Sequence, residues 1–288
     1  MLLLDPASDL HTALAGHAER ARVIFVTGLP GTGKSLLIHQ LVQLAHRQGR
    51  PVSLLQWDVA RPAIENHAAA RAYPAQRGVT HGVVRVAVGR WARAAVARWA
   101  ERADGARALL VGEAPLVGHR LVELVRGMDD AAEPVLSDPR TRFVVPVPSR
   151  ELRRHLEAER ARRAAQPLHP REREDAPPEV LHDLWRQLTG VAAALGLAGA
   201  PAASAPAPYD PALYAAVYRH VLRRRHMDVV GVDAILPVAA MSPYDLGISV
   251  DDLHPRDDEA ERLIAEAGRD WADPAALEAA LDRWYATP

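Results

Sequence analysis

The sequence predicts an α/β fold in three layers, a five-stranded parallel sheet packed between helices, with helical lid insertions on one side. Three observations predict it. Short apolar runs rich in β-branched residues recur along the chain, helical periodicities separate them, and the first run passes through a glycine loop straight into a helix. Runs that are apolar throughout suit strands covered on both faces, and helical crossovers are the connections that parallel neighbours need.

Val23-Ile24-Phe25-Val26 is the first strand, and Leu37, Leu41 and Leu44 recur at helical spacing after the loop until Gly49 and Pro51 stop the helix. The second strand is Val52 to Trp57, ending at Asp58, and the third is Ala108 to Val111, ending at Gly112-Glu113. Arg142 to Val147 forms the fourth, with Pro146 near its end, and Met227 to Val232 the fifth. Two connections exceed a simple crossover. The stretch 59–107 holds Trp91, Ala95 and Trp99 at helical spacing and reads as a substrate-side insertion. The stretch 149–226 holds an Arg-rich helix (Ser149 to Arg163), a broken loop (Gln166 to Pro178), a helix (Glu179 to Leu195), an Ala/Pro linker (Gly199 to Pro208) and a last helix (Pro211 to Arg225). It reads as a lid. The acid-rich tail 251–288 carries Leu263, Trp271, Leu277, Leu281 and Trp284, which dock helices on the core. The expected organisation is one domain over 1–288, with its core at 22–147 and 227–240.

Composition narrows the function. With no cysteine among 288 residues, disulfide scaffolds, thiol chemistry and Cys-ligated zinc are excluded. The histidines show no zinc spacing such as HExxH. A net charge of −1 removes the global attraction that bulk nucleic-acid binding needs, and no long uncharged apolar stretch or basic leader suggests a membrane or export. A cytoplasmic protein with no membrane partner is expected. Lys34 is the only lysine, every other basic residue being arginine. A compact ammonium on a flexible stem differs physically from a planar guanidinium, so that position is expected to be chemical.

Lys34 belongs to Gly28-Leu29-Pro30-Gly31-Thr32-Gly33-Lys34-Ser35, which matches the phosphate-binding loop in full. Successive backbone N–H groups there form an anion nest at a helix N-terminus; Lys34 reaches β- and γ-phosphates and the Ser35 hydroxyl can ligate Mg²⁺. Gly28, Pro30, Gly31, Thr32, Gly33, Lys34 and Ser35 are therefore the expected nucleotide contacts. Glu113, at the end of the third strand, is placed to manage Mg²⁺ or polarise an attacking group, or else is a first-turn acid ahead of Pro115. Gly112 precedes it, so the tandem acidic pair of many AAA-type ATPases is missing. Asp58 stands at the carboxyl end of the second strand, beside the phosphate site but outside the loop. A carboxylate there can take the proton of an attacking hydroxyl while Arg61, one turn on, steadies an anionic group; alternatively Asp58 caps the following helix. Arginines crowd the stretch Ser149 to Arg173, where a mobile lid can close them on the triphosphate, or where they simply pair with neighbouring glutamates on a solvated helix. His81 and Arg85 are candidates for an acceptor pocket as well as for surface or core roles, and Tyr209, Tyr214 and Tyr218 for packing of the last lid helix.

With these residues in hand the sequence resembles the P-loop kinases of small molecules. The loop together with Asp58-Val59-Ala60-Arg61 is similar to the subgroup of polynucleotide 5′-kinase, chloramphenicol phosphotransferase and zeta toxins. The resemblance implies a P-loop NTPase sheet in the order 2-3-1-4-5, ATP with Mg²⁺ as cofactors, Asp58 as general base and Arg61 on substrate phosphate. It also implies Arg160, Arg163, Arg171 and Arg173 as lid candidates, the first two catalytic and the last two on the nucleotide. The expected partner is a small hydroxylated molecule, nucleoside-like by preference. A polynucleotide 5′-hydroxyl is the alternative that would bring in nucleic acid, and a regulatory ATPase acting through a protein partner is the alternative from another class. A GTPase is excluded, since Asn-Lys-x-Asp needs a second lysine.

Overall fold

The computed structural model describes residues 1–76, 78–102, 107–174, 178–199, 208–238 and 241–286. The sheet is parallel throughout and built from β1 (Val23–Thr27), β2 (Val52–Leu55), β3 (Leu109–Ala114), β4 (Thr141–Pro148), β5 (Met227–Val232) and the two-residue β6 (Asp251–Asp252). Its order is β5-β4-β1-β3-β2-β6. That is the expected 2-3-1-4-5 order with a sixth strand added at the β2 edge, where Ser53 and Leu54 pair with Asp251 and Asp252. Two aspartates carry no strand signal of their own; a free edge of β2 supplies the pairing.

Successive residues of each strand enter opposite layers, as the two-residue period demands. Ile24, Val26, Leu54, Val111 and Val144 pack against α1 (Asp9–Arg20) and α2 (Lys34–Arg47). Val23, Phe25, Leu55, Leu110 and Phe143 pack on the other face. There the cover is α3 (Trp57–Glu65), α4 (Gly82–Arg102), the short α5 (Glu133–Leu136), α7 (Pro178–Ala194), α8 (Pro211–Val221), α9 (Asp257–Asp270) and α10 (Pro274–Asp282). Phe25 stacks on Phe143 with ring centroids 5.1 Å apart. Gly112 lies opposite Phe25, and a Cβ there would come within 2.5 Å of its ring. Packing therefore accounts for the glycine where other chains carry a second acid before Glu113.

Four boundaries differ from expectation. α1 begins before the first strand, capped by Ser8, whose side chain accepts from His11 N. β2 stops at Leu55, because Trp57 buries its ring as the first residue of α3; Asp58 thus lies in a helical first turn and not at a strand end. β3 runs on to Ala114, so Glu113 is inside the strand. α8 ends at Val221 because Arg225 turns inward to donate to the carbonyls of Leu124 and Arg126 and to pair with Glu133. Glu133 also receives Arg93, a guanidinium only 2% exposed that is held by Asp130 and by the Glu123 carbonyl as well. Burial works against the Glu133 charge, yet the hydrogen bonds from Arg225 and Arg93 override it and hold its pKa at about 2. These ions clamp the chain between β3 and β4. The Arg-rich helix α6 (Arg150–Ala165) starts as expected, with the Ser149 side chain accepting from Leu152 N. Most of the Ala/Pro linker Gly199 to Pro208 lies outside the described residues, as do residues 175–177 of the broken loop.

Candidate active site

β1 delivers the chain into Gly28–Ser35 and α2 takes it up at Lys34. Gly31 (φ 72°) and Gly33 (φ 84°) both sit in the left-handed region, which turns successive N–H groups into one concavity at the α2 N-terminus. The loop is braced from behind. Leu29 N donates to the Tyr214 hydroxyl (3.2 Å), and a Cβ on Gly28 would meet that oxygen at 2.2 Å. Tyr209, Tyr214 and Tyr218 pack in series with tilted rings, centroids 5.8 and 4.8 Å apart. Burial raises the Tyr214 phenol to about 12, so it stays protonated. From the lid side Arg153, 3% exposed, donates to the Pro30 carbonyl (2.8 Å), pairs with Glu157 (2.7 Å) and lies over the Tyr209 ring.

Lys34 is 5% exposed, its Nζ 3.0 Å from the Leu29 carbonyl and 3.2 Å from Glu113 Oε1. Burial lowers its pKa, with Glu113 acting against that shift. A buried ammonium shared by one carbonyl and one carboxylate is poised for an anion that offers more. Ahead of it opens a cleft of about 960 Å³, floored by Pro30 to Ser35. Asp58 is open to the cleft and ringed by protein; desolvation first, and then the charge of Glu113, raise its carboxyl to about 6, against the pull of Arg61, Arg120 and Lys34. Arg61 lines the same wall and pairs with Glu65 one turn on.

Helix α6 and the turn after it cover this floor. Arg160 and Arg163 line the cleft; Arg160 lies near enough to Lys34 for its charge to be felt there, while Arg163 pairs with Glu172 (3.3 Å). Glu172 accepts from Ser242 Oγ (2.7 Å), which docks the turn Pro170–Glu174 on the chain that follows β5. Arg171 reaches across to Gln56 Oε1 (3.0 Å) and lines a small side cavity with Asp58 and Glu113. Two expected nucleotide contacts fall elsewhere. Arg173 is exposed and lies off the cleft, and Gly28 sits beneath the loop, its place set by Tyr214. His81 packs on the Tyr73 ring while Arg85 lines the cleft.

Sequence reasoning missed the far wall. After β3 the chain makes a tight loop closed by Leu116 N to Arg120 O (2.9 Å) and Arg120 N to Leu116 O (3.1 Å). Leu116 (φ 63°), Gly118 (φ 71°), His119 (φ 58°) and Leu121 (φ 61°) are all left-handed. For each of the three that carry a Cβ this costs about 1–2 kcal/mol, and such strain persists only where surroundings over-determine it. Leu116, Val117 and Leu121 are buried, His119 Nε2 is 2.9 Å from Glu123 Oε1, and Glu123 fits because Gly89 on α4 has no side chain. The consequence is that Arg120 lines the cleft. A Gly-His-Arg interruption in the apolar run Pro115 to Val125 is the one signal that pointed there.

A family model described as an AAA domain matches residues 10–136, from α1 through α5. No curated protein matches the chain. With the sheet order and the loop geometry, the match makes this a P-loop NTPase-like fold with a nucleotide-binding domain. No described helix is long and apolar enough to cross a membrane.

Proposed function

We propose that the chain is a phosphotransferase that moves the γ-phosphoryl group of ATP, with Mg²⁺, to a hydroxyl of a small nucleoside-like acceptor. The observation that carries this reading is Asp58: a carboxylate outside the phosphate loop, open to the cleft beside the Lys34–Glu113 pair, with its pKa raised to about 6. A group so placed is ionised at neutral pH and still basic enough to take a proton. In this reading the whole chain works as one kinase domain with 149–226 as its lid.

The residues fit a magnesium nucleotide. The Gly31–Gly33 nest faces the phosphates, the buried Lys34 ammonium exchanges Glu113 and the Leu29 carbonyl for β- and γ-oxygens, and Ser35 and Glu113 are the two donors for the ion. Bound there, Mg²⁺ would neutralise charge on the transferring group. The acceptor oxygen forms its bond to γ-phosphorus as the bond to the β–γ bridging oxygen breaks, ADP leaves, and the hydroxyl proton passes to Asp58. Arg61 orients the acceptor, and Arg160 and Arg163 close from the lid.

The test follows labelled γ-phosphate into a panel of nucleosides, sugars, phosphorylated alcohols and 5′-hydroxyl oligonucleotides, with Asp58→Asn beside wild type. Acceptor labelling that falls by about 10²–10⁴ in the variant supports the kinase. The AAA-domain match favours a second reading, an ATPase acting through a protein partner. Phosphate release with no acceptor labelled, and unchanged in Asp58→Asn, would select it.

A further inference from the structure

We propose that Arg120 and Arg85, with Arg61 beside them, bind a phosphate monoester group on the acceptor, so that the substrate class is a small phosphorylated alcohol and not a neutral nucleoside. The word acceptor rests on the kinase reading; the anion site does not.

Arg120, Arg85 and Arg61 reach one wall of the cleft from three separate segments, the strained loop after β3, α4 and α3. Arg61 has Glu65 as its partner. Arg85 spends Nη1 on the Gly118 carbonyl (2.7 Å), which ties it to the Arg120 loop, and its buried Nε has no hydrogen-bond partner. Among the described residues the Arg120 guanidinium makes no hydrogen bond and no ion pair. Burial lowers the pKa of both Arg85 and Arg120; Glu278 acts against that shift at Arg85 and Asp58 at Arg120, while a neighbouring guanidinium adds to it in each case. Desolvated guanidiniums drawn together with no carboxylate in contact are costly unless something anionic completes them, and the planar fork matches phosphate oxygens two at a time.

Acids do face this group. Asp58 and Glu113 lie toward Arg120, and Glu278 and Asp282 of α10 toward Arg85, yet none forms an ion pair with either arginine among the described residues. Under the kinase reading Asp58 and Glu113 are committed to the hydroxyl and the metal ion, which leaves Arg120 to the substrate. Glu278 and Asp282 are suited to accept from further hydroxyls of the same molecule. The occupant is small, because Leu281 and Trp284 wall that end of the cleft, and the −1 net charge gives no field for a polynucleotide. The left-handed backbone at Leu116, His119 and Leu121 has no role in the nucleotide half; it sets Arg120 on the wall.

The test is calorimetric titration of the full chain with its phosphate loop filled by saturating Mg·ADP, using ribose 5-phosphate, ribose and a 5′-hydroxyl oligonucleotide as probes. The ester is expected to bind at least about tenfold tighter than ribose, Arg120→Ala to cut that preference to about threefold or less, and Arg120→Lys to restore part of it. ADP affinity should stay within about twofold. Equal binding of ester and ribose by wild type, an unchanged preference in Arg120→Ala, or binding of the oligonucleotide with none of the ester would each overturn the proposal. If Arg120→Ala also loses ADP, its site has collapsed and Arg85→Gln decides: a preference retained there sinks the anion site. The kinase reading fails separately, if the ester binds in an Arg120-dependent way while no labelled phosphate reaches any acceptor.

Discussion

The two ends of the cleft are built by opposite strategies. At the nucleotide end one contiguous segment, Gly28 to Ser35, carries backbone nest, ammonium and hydroxyl, and its supports Tyr214 and Arg153 only hold it still. At the end that the kinase reading gives to the acceptor, each side chain comes from a different element, and left-handed backbone at Leu116, His119 and Leu121 accompanies the placing of one arginine. A local site tolerates change in its surroundings, whereas an assembled one inherits every displacement of its scaffold.

The largest effect should fall on the local end. Under the kinase reading Lys34→Ala removes the ammonium that meets the β- and γ-phosphates, and turnover should fall by about 10³ or more. The fold should survive with a lower melting temperature, since Glu113 loses its ion-pair partner but keeps some contact with the open cleft. Steady-state rates and a thermal melt check both halves, and an active Lys34→Ala would remove the nucleotide site from that loop.

Next in size is the pH dependence, which belongs to the junction of the two ends. As the proposed base Asp58 must be ionised, and its pKa is raised to about 6, so kcat/KM should fall with a single-proton slope as pH drops below about 6. Stability runs the other way. A carboxyl whose folded pKa exceeds its ordinary 3.8 favours the fold at low pH, and that contribution is lost as pH rises from about 4 to about 6. Asp58→Asn should therefore lose the acid limb and gain stability relative to wild type across the same window. Glu113→Gln should move the limb in its residual activity downward, because the repulsion from Glu113 is the second cause of the shift. A limb that stays at about 6 would assign the shift to burial alone.

How much was legible follows the same division. Apolar runs located β1, β4 and β5, because strand burial is written in neighbouring residues, while the order of the sheet came from the resemblance that the glycine loop carries. Trp57 reads as strand from its type, yet the space under β2 makes it the start of α3, and Asp58 moves with it. Gly89 and Gly112 look like weak points in a helix and a strand; each is the only residue that admits a distant side chain, Glu123 or Phe25. Such pairings have no spacing to reveal them. Arg120 was hidden for the same reason, among 35 basic residues of which one alone was chemically distinctive.

Gly89→Ala tests the inherited-displacement argument directly. A Cβ on Gly89 would lie 1.7 Å from Glu123 Oε2, so Glu123 must move, and with it His119 and the loop that carries Arg120. Overpacking of this kind costs about 1–3 kcal/mol, and the acceptor KM should rise by about tenfold while the KM for ATP stays within about twofold.

The smallest and most selective effect should come from the opposite side. Tyr214→Phe leaves the ring stack but removes the oxygen that accepts from Leu29 N, at a cost of about 1–2 kcal/mol in stability for the amide left behind it. The loop loses a brace, not a contact with substrate, so the KM for ATP should rise about two- to fivefold with the acceptor KM unchanged. Paired with Gly89→Ala this gives a crossed pattern, each variant perturbing one substrate and sparing the other. If Tyr214→Phe raised both KM values together, the two ends would be coupled through the loop, and the picture of a self-contained nucleotide end would have to give way to one continuous site.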